Sequence, residues 1–174
     1  MSGLGINYKF CPYCARPLSI RFEEEKQRKY CQSCNWTYYP TESIAPVGIL
    51  ERDRKVLLVQ RNREPHKGKW MLPSGFKDFG ERTLEALYRE MLEEIDVRVT
   101  GTEFVEELRS AEDPRNIGTM VPFYNVGWRG KPRNNEPEEN MAIDWFDLKY
   151  LPPIAWKTHE KVLRALCLLK KSKI

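Results

Sequence analysis

The sequence predicts an α/β or α+β core preceded by a small zinc-binding module. Two observations support this fold class. Four of the five cysteines form two Cys-x-x-Cys pairs with sixteen residues between them. After these pairs, β-branched and apolar runs typical of strands are mixed with two segments of helical period. The 174 residues suffice for one ordinary domain with a small appendage.

The cysteine pairs have the spacing of a four-cysteine zinc site. Each pair can turn two thiolates toward one point, and a closed tetrahedron of this kind is structural. Its ligands would be Cys11, Cys14, Cys31 and Cys34. About forty residues bury little core, so bound zinc would supply folding energy. Two disulfides or one redox pair are the alternatives. We expect a zinc ribbon over residues 1–40 and a second domain over 41–174, with Pro40 at the boundary.

The elements follow in order. Residues 18–30 predict two short strands around a charged turn, and residues 35–40 lead out of the ribbon. The second domain predicts a hairpin (43–50 with 55–60), a basic loop (61–70), a helix (83–94), strands (97–108, 121–128 and 142–146), a polar loop (130–140) and a final helix (157–170). Cys167 is expected to pack that helix against the core. In the first helix, Thr83 is the expected N-cap and Glu85 lies in the first turn. Its expected apolar stripe is Leu84, Leu87, Tyr88, Met91, Leu92 and Ile95.

Composition and charge limit the possible classes of protein. Hydrophobic residues make up 41% and charged residues 31%, which is typical of a globular protein. The net charge of +4 neither demands nor excludes a polyanionic partner. No run of 18 apolar residues occurs, and the first residues lack the order of a signal peptide. We therefore expect a cytoplasmic protein without a membrane partner.

Three glutamates of the first predicted helix, Glu90, Glu93 and Glu94, are three and four residues apart and therefore share one face. Like charges at this spacing destabilise a bare helix, so a positive partner is expected. Carboxylate oxygens suit Mg²⁺ and Mn²⁺, which keep waters for substrate phosphates. The alternative is a solvated acidic face. Gly75, in the loop before the helix, permits a close approach of the backbone to such a site.

These residues belong to a longer pattern. Gly75 is followed after five residues by Glu81, and after seven more by the run REMLEEIDV, residues 89–97. The pattern resembles the Nudix box: Gly, five residues, Glu, seven residues, Arg-Glu, an aliphatic, any, Glu-Glu, any, Gly, an aliphatic. The last glycine alone differs, because Asp96 occupies its position at the predicted helix end. Glycine there would adopt a left-handed cap, a conformation that Asp tolerates less well.

The resemblance implies an α/β/α sandwich with a mixed sheet, and hydrolysis of a nucleoside diphosphate linked to another moiety with Mg²⁺ or Mn²⁺. In the family's pattern Glu93 and Glu94 hold metal, and Glu90 ligates metal or serves as the base. The carbonyl of Ser74 or Gly75 completes the shell, and Glu81 pairs with Arg89 in a buried bridge. The family often adds a carboxylate from a distant loop, for which the candidates here are Glu136, Glu138 and Glu139.

The ribbon before the box is similar to the NADH pyrophosphatase branch, as are Tyr39-Pro40 and the start of the box at Ser74. That branch carries a Ser-Gln-Pro-Trp-Pro-Phe-Pro motif after the box, which residues 107–116 lack. ADP-ribose or a related nucleotide sugar or dinucleotide is therefore the favoured substrate, and Pro114 loosely resembles ADP-ribose pyrophosphatases. NADH pyrophosphatase and NAD-cap RNA hydrolase activities remain alternatives.

Substrate contacts are expected from basic and aromatic side chains. Arg63 and Arg109 are the favoured phosphate-binding residues. Further candidates are Lys67, Lys69, Arg115 and His66 for phosphate, and Phe123, Tyr124 and Trp128 for stacking on adenine.

Two other classes of function remain open. The ribbon could bind nucleic acid through its basic residues, or the domain could sense a metabolite without catalysis. The intact Glu90, Glu93 and Glu94 disfavour the sensor. By resemblance, a homodimer is also expected.

Overall fold

The computed structural model describes residues 8–113 and 118–171. Its first part is a three-stranded antiparallel sheet with the order β1-β2-β3, formed by β1 (Ser19–Glu23), β2 (Lys26–Cys31) and β3 (Trp36–Tyr38). The two strands around a charged turn are confirmed. The third strand occupies the segment for which the sequence predicts only an exit. Tyr8, Trp36 and Tyr38 pack against one another and supply an aromatic cluster to this small sheet.

A mixed sheet and an antiparallel sheet follow. In the mixed sheet, β10 (Thr119–Arg129) pairs in parallel with β4 (Ser43–Ile44) and β5 (Val47–Ile49), and antiparallel with β9 (Arg98–Ser110). In the antiparallel sheet, β7 (Lys55–Arg61) pairs with β6 (Glu51–Arg52), β8 (Trp70–Met71) and β11 (Asn140–Asp147).

The predicted hairpin over 43–50 and 55–60 is wrong in its extent. Only β6 turns back onto β7, through a tight turn at Asp53 and Arg54, both of which have positive φ. The earlier residues divide into β4 and β5 on either side of Ala45-Pro46, and they pair with β10 instead. Because proline lacks a backbone N–H, it interrupts a continuous ladder at this point.

Two helices cover opposite faces of the sheet layer. Successive residues of β7 alternate between two buried clusters: Val56 and Leu58 belong to one, and Leu57 and Val59 to the other. The first cluster is completed by α2 (Lys157–Lys171), and the second by α1 (Thr83–Ile95). The result is the three-layer α/β/α arrangement. Cys167 of α2 is partly buried and packs against the first cluster, called here the α2 cluster, which confirms its expected packing role.

The first helix differs from its prediction at both the N-cap and the stripe. The N-cap is Arg82 rather than Thr83, and Glu85 in the first turn accepts the Arg82 N–H at 2.8 Å. The expected stripe is wrong at Leu84, Tyr88 and Leu92, which are 37–44% exposed. The buried face is centred instead on Ala86, Leu87, Met91, Glu94 and Ile95.

A close packing contact and a C-terminal cap fix the position of α1. Gly48 of β5 lies against Met91, and a Cβ added at Gly48 would overlap with the Met91 thioether. At the other end Asp96 takes the left-handed conformation, with φ of 53° and ψ of 40°. The N–H groups of Asp96 and Val97 then donate to carbonyls of the last turn, at 3.1 and 3.2 Å. In the described part of the chain, neither helix is long and apolar enough to span a membrane.

Candidate active site

A cavity of about 440 Å³ lies where α1, the loop 74–76, the polar loop before β11 and the start of α2 meet. One side of it is strongly acidic. The glutamates that line it are Glu90, Glu93, Glu94, Glu136 and Glu139. The three helix glutamates therefore do share one site, as their spacing predicts, together with two carboxylates from the polar loop.

Glu94 is the most deeply buried of these carboxylates, with 3% of its surface exposed. Its Oε2 accepts the backbone N–H of Ser74 at 2.8 Å, and the Asn140 side-chain amide lies 3.4 Å from Oε1. Burial raises the pKa of Glu94 well above its usual range, and the charge of Glu90 raises it further. A cation at this site would offset both effects.

Glu90 packs directly on the backbone of Gly75. A Cβ at position 75 would overlap with the carboxyl group of Glu90. The φ of Gly75 lies outside the left-handed region, so glycine is needed here for close approach rather than for a special backbone angle. Burial also raises the pKa of Glu90, although the hydrogen bond from Arg89 opposes this rise.

Arg89 links the acidic cluster to the loop that precedes the helix. Its guanidinium contacts Glu81 and Glu90 at 2.7 Å and Glu93 at 2.9 Å, and it donates to the Phe76 carbonyl at 3.0 Å. The expected bridge between Glu81 and Arg89 is therefore present. It is partly exposed rather than buried, because 21% and 29% of the two side chains remain accessible.

The charge balance of the cavity fits divalent cations. Six carboxylates, the five glutamates and Asp113, line it against three arginines, Arg61, Arg63 and Arg89. Carboxylates together with the loop carbonyls form the hard oxygen donor set that Mg²⁺ and Mn²⁺ prefer. Because Arg89 holds Glu90 and Glu93, a cation would have to compete with this guanidinium for their oxygens.

The three candidate distal carboxylates of the polar loop differ in their position relative to the cavity. Glu136 lines the cavity, and its pKa is raised first by burial and then by the charges of Glu139 and Glu93. Glu139 lines it too but pairs with Arg63 at 2.6 Å. Glu138 is exposed and, within the described chain, is not among the lining residues.

The structure places only some of the expected substrate-binding residues at the cavity. Arg63 lines the cavity, whereas Arg109 pairs with Glu42 and is absent from the lining of the described chain. Phe123 is fully buried in the core, so it cannot stack on a ligand, which corrects that expectation. Lys67, Lys69, His66, Tyr124 and Trp128 are likewise not lining residues among those described, and Pro114 and Arg115 lie outside the described residues.

Several lining residues are absent from the sequence-based candidates, among them Arg61, Trp156, Thr158 and His159. Arg61 could have been found, because it lies in the same predicted basic loop as Arg63, two residues away. The other three come from the start of α2, which is distant in sequence, and no local pattern links them to the Nudix-like box.

The four paired cysteines form a second centre. Their sulfur atoms all lie within 4.8 Å of one another, and all four are free thiols. The sulfurs of Cys14 and Cys31 are 3.6 Å apart, far longer than a disulfide bond of about 2.05 Å. This cluster of four thiols fits one tetrahedral metal ion with four sulfur ligands. The disulfide alternative is not formed.

Comparisons with known proteins agree with this geometry. The NAD-capped RNA hydrolase NudC of Chromobacterium violaceum is 30% identical over 165 residues, covering 92% of this chain and 59% of that protein. The ADP-ribose pyrophosphatase of Methanocaldococcus jannaschii is 33% identical over 129 residues, covering 72% of this chain and 73% of the relative. The chain thus spans 59% of the length of this NudC relative.

Solved structures show the same fold. The MutT NUDIX hydrolase of Burkholderia pseudomallei has a TM-score of 0.67 at 26% identity, covering 72% of this chain and 98% of that one. A NUDIX hydrolase of Nitrosomonas europaea has a TM-score of 0.66 at 26% identity, covering 90% and 89%. The family described as NUDIX domain matches residues 41–166. The chain therefore belongs to the NUDIX domain family.

Proposed function

We propose that this chain is a metal-dependent hydrolase that cleaves the pyrophosphate of a nucleoside diphosphate linked to another moiety. The observation that carries the proposal is the buried acidic side of the cavity, where Glu90 and Glu94 lie against the backbone at Gly75 and Ser74. Burying such charge is costly unless a cation compensates it. The match to the NUDIX domain supports the same reaction class.

Glu90, Glu93, Glu94 and the Ser74 carbonyl would hold Mg²⁺ or Mn²⁺. When bound, these ions would neutralise the diphosphate and lower the pKa of the attacking water. The water oxygen attacks one phosphorus and the bridging P–O bond breaks, which yields a nucleoside monophosphate and a second phosphate monoester. The roles of metal ligand and of base both remain open for Glu90. The raised pKa of Glu136 makes it the distal candidate for accepting the water proton.

Arg63 would bind the substrate phosphates, and Arg61, the last residue of β7, lines the same cavity and would support it. Arg63 would have to exchange Glu139 for a phosphate oxygen. Arg109 remains a proposed contact only for a part of the substrate that extends beyond the cavity.

The favoured substrate is ADP-ribose, since the relative named ADP-ribose pyrophosphatase is 33% identical over 129 residues. A second candidate is a dinucleotide or an NAD-capped RNA end. It is favoured because the NudC relative matches 92% of this chain, a share that extends into the ribbon. In that case the basic residues of the ribbon would contact the RNA.

In the ribbon, Cys11, Cys14, Cys31 and Cys34 would hold one structural Zn²⁺. We also infer a homodimer, on the basis of the family resemblance alone. Exposed Leu84, Tyr88 and Leu92 on α1 are compatible with such an interface.

A substrate panel tests the proposal. The wild type is assayed with Mg²⁺ and with Mn²⁺ on ADP-ribose, NADH, diadenosine polyphosphates, nucleoside triphosphates and NAD-capped RNA. We expect turnover of ADP-ribose or a dinucleotide, and a loss of several orders of magnitude in Glu93→Gln. Glu138→Gln, which removes an exposed carboxylate of the polar loop, is the matched control and should keep the wild-type rate. An inert wild type, or a Glu93→Gln variant with near-normal rates, would contradict the proposal.

A further inference from the structure

Asn140 is a buried polar side chain of the cavity that the proposed hydrolysis leaves without a role. It is the first residue of β11, only 1% of its surface is exposed, and it lines the cavity together with the glutamates. A buried amide has both donors and an acceptor, so its burial is costly unless these groups are used. The charged group that the Asn140 amide contacts is the carboxylate of Glu94.

The two oxygens of the Glu94 carboxylate accept hydrogen bonds from two separate parts of the chain. Oε2 accepts the Ser74 N–H at 2.8 Å, and Oε1 accepts the Asn140 side-chain amide at 3.4 Å. A carboxylate held at one oxygen alone can still turn, because the last torsion of a glutamate side chain is broad. The second contact restricts that rotation. Since an ionised carboxylate has about four acceptor sites, both oxygens keep a free direction for a cation.

The backbone of Asn140 is fixed independently of its side chain. Its N–H donates to the Glu136 carbonyl at 2.9 Å, and its carbonyl accepts the Asn134 side-chain amide at 2.7 Å. In the antiparallel sheet, Asn140 is also paired with Arg61 of β7. The amide therefore projects from a fixed backbone, so it can hold Glu94 in place rather than follow its movements.

The polar loop that leads into Asn140 is itself attached to the end of α1. Asn135 donates its side-chain amide to the Glu93 carbonyl at 2.9 Å and its backbone N–H to the Glu94 carbonyl at 3.0 Å. These carbonyls belong to the last turn of α1, where a helix lacks internal partners. The helix that carries Glu94 and the loop that carries Asn140 are thus joined at both backbone and side chain.

A role in loop structure alone does not account for the side chain of Asn140. The contacts that close the loop use its backbone N–H and carbonyl, whereas the side-chain amide donates to Glu94. Groups that hydrogen bond to a metal ligand orient that ligand, and their removal typically costs about 10- to 100-fold in metal affinity or activity.

We infer that Asn140 is a positioning residue for Glu94. Its amide holds Oε1 while the Ser74 N–H holds Oε2, so that the carboxylate is oriented before a cation arrives. The inference rests on the proposed function, because it takes Glu94 as a ligand of Mg²⁺ or Mn²⁺. It adds the requirement of a hydrogen-bond donor at position 140, which lies outside the pattern of residues 75–97.

The first test is calorimetric titration of the full chain with Mn²⁺, without substrate. Asn140→Leu keeps a branched side chain but removes the donor, and it should weaken Mn²⁺ binding by about 10- to 100-fold. Asn140→Ser, which is polar but too short to reach Oε1, should weaken binding in the same way. Asn125→Leu is the matched control. The Asn125 amide also lies 3.4 Å from a carboxylate, that of Glu103, but among the described residues Asn125 is not part of the cavity lining. It should keep the wild-type affinity.

A double-mutant cycle on kcat/KM with Mg²⁺ separates positioning from general damage. Asn140→Leu should lower kcat/KM by about tenfold or more in the wild type. In the Glu94→Gln background the metal-binding carboxylate is already lost, so Asn140→Leu should cost less than about twofold.

The inference is overturned if both Asn140 variants bind Mn²⁺ with wild-type affinity, or if Asn125→Leu weakens binding equally. It is also overturned if Asn140→Leu costs as much in the Glu94→Gln background as in the wild type. A wild type that binds no Mn²⁺ would refute the proposed function and the inference together. Mn²⁺ binding that weakens in both Asn140 variants, without hydrolysis of any substrate, would refute the proposed reaction and support the inference.

Discussion

Glu90 of α1 and Gly75 of the preceding loop are in direct contact, and the carboxyl group occupies the space that a Cβ at position 75 would need. The loop and the helix therefore set each other's position at the acidic side of the cavity. Gly75→Ala should displace Glu90 and reduce turnover by at least about tenfold, since small misplacements of catalytic groups are costly. The measurement is kcat/KM on the best substrate of the panel.

Gly101→Ala is the matched control for this substitution. Gly101 lies in β9, an added Cβ there would have no atom of the described residues within 4 Å, and its φ is outside the left-handed region. It should keep the wild-type kcat/KM. Equal activity of the two variants would show that the contact between Gly75 and Glu90 does not position the site.

Asp96 occupies the left-handed cap position at the end of α1. A left-handed conformation costs a non-glycine residue roughly 1–2 kcal/mol. Asp96→Gly removes that strain but also gives up the exposed Arg133 pair and adds entropy to the unfolded chain. We expect a net gain of about 0.5 kcal/mol in the free energy of unfolding. Asp96→Val should lose about 1–2 kcal/mol, because β-branching worsens the strain. Urea denaturation measures both, and a more stable Val variant would contradict this account.

Stability at acidic pH should depend on Glu81. Hydrogen bonds from Arg89, and next from the Asp78 N–H, lower the pKa of Glu81 to about 2. A carboxylate whose folded pKa lies below its unfolded value stabilises the fold fully above the unfolded pKa. That contribution is lost as the pH falls from about 4.5 toward 2. Glu81→Gln should therefore flatten the decline of the melting temperature over this window. Glu138→Gln, at an exposed position, should leave the decline as steep as in the wild type.

The thiol quartet predicts one zinc ion per chain. Cys34→Ser removes one ligand and should abolish stoichiometric zinc binding, measured by elemental analysis of purified protein. Cys167→Ser is the control. Cys167 packs against the α2 cluster and is far in sequence from the four paired cysteines, so this variant should leave the zinc content unchanged. Full zinc occupancy in Cys34→Ser would exclude the four-cysteine site.

The elements that sequence predicts well are those with a strong local period. The strands β9, β10 and β11 and both helices lie within a few residues of their predicted bounds. The segment 43–50 is mispredicted because its pairing with β10 is a long-range contact that no local pattern reveals. The predicted apolar stripe of α1 is wrong at Leu84, Tyr88 and Leu92, because the sheet covers only part of the apolar face of the helix. Glu94 is buried although it is charged.

The helix part of the acidic side could be predicted because Glu90, Glu93 and Glu94 lie within one pattern of twenty-three positions, from Gly75 to Val97. The side of the cavity next to α2 could not. Thr158 and His159 are ordinary residues at the start of a helix, and only the fold brings them to the cavity, where the Leu72 N–H donates to His159. The choice among Glu136, Glu138 and Glu139 likewise depends on loop geometry, which places the first and third at the cavity and the second outside it.

The most direct measurement of the central claim is an anomalous difference map from a crystal of this chain grown with Mn²⁺ and AMP. The account predicts at least one manganese peak within about 2.5 Å of carboxylate oxygens of Glu93 and Glu94, next to the nucleotide phosphate. Nucleotide bound in the cavity with no manganese beside these glutamates would contradict it.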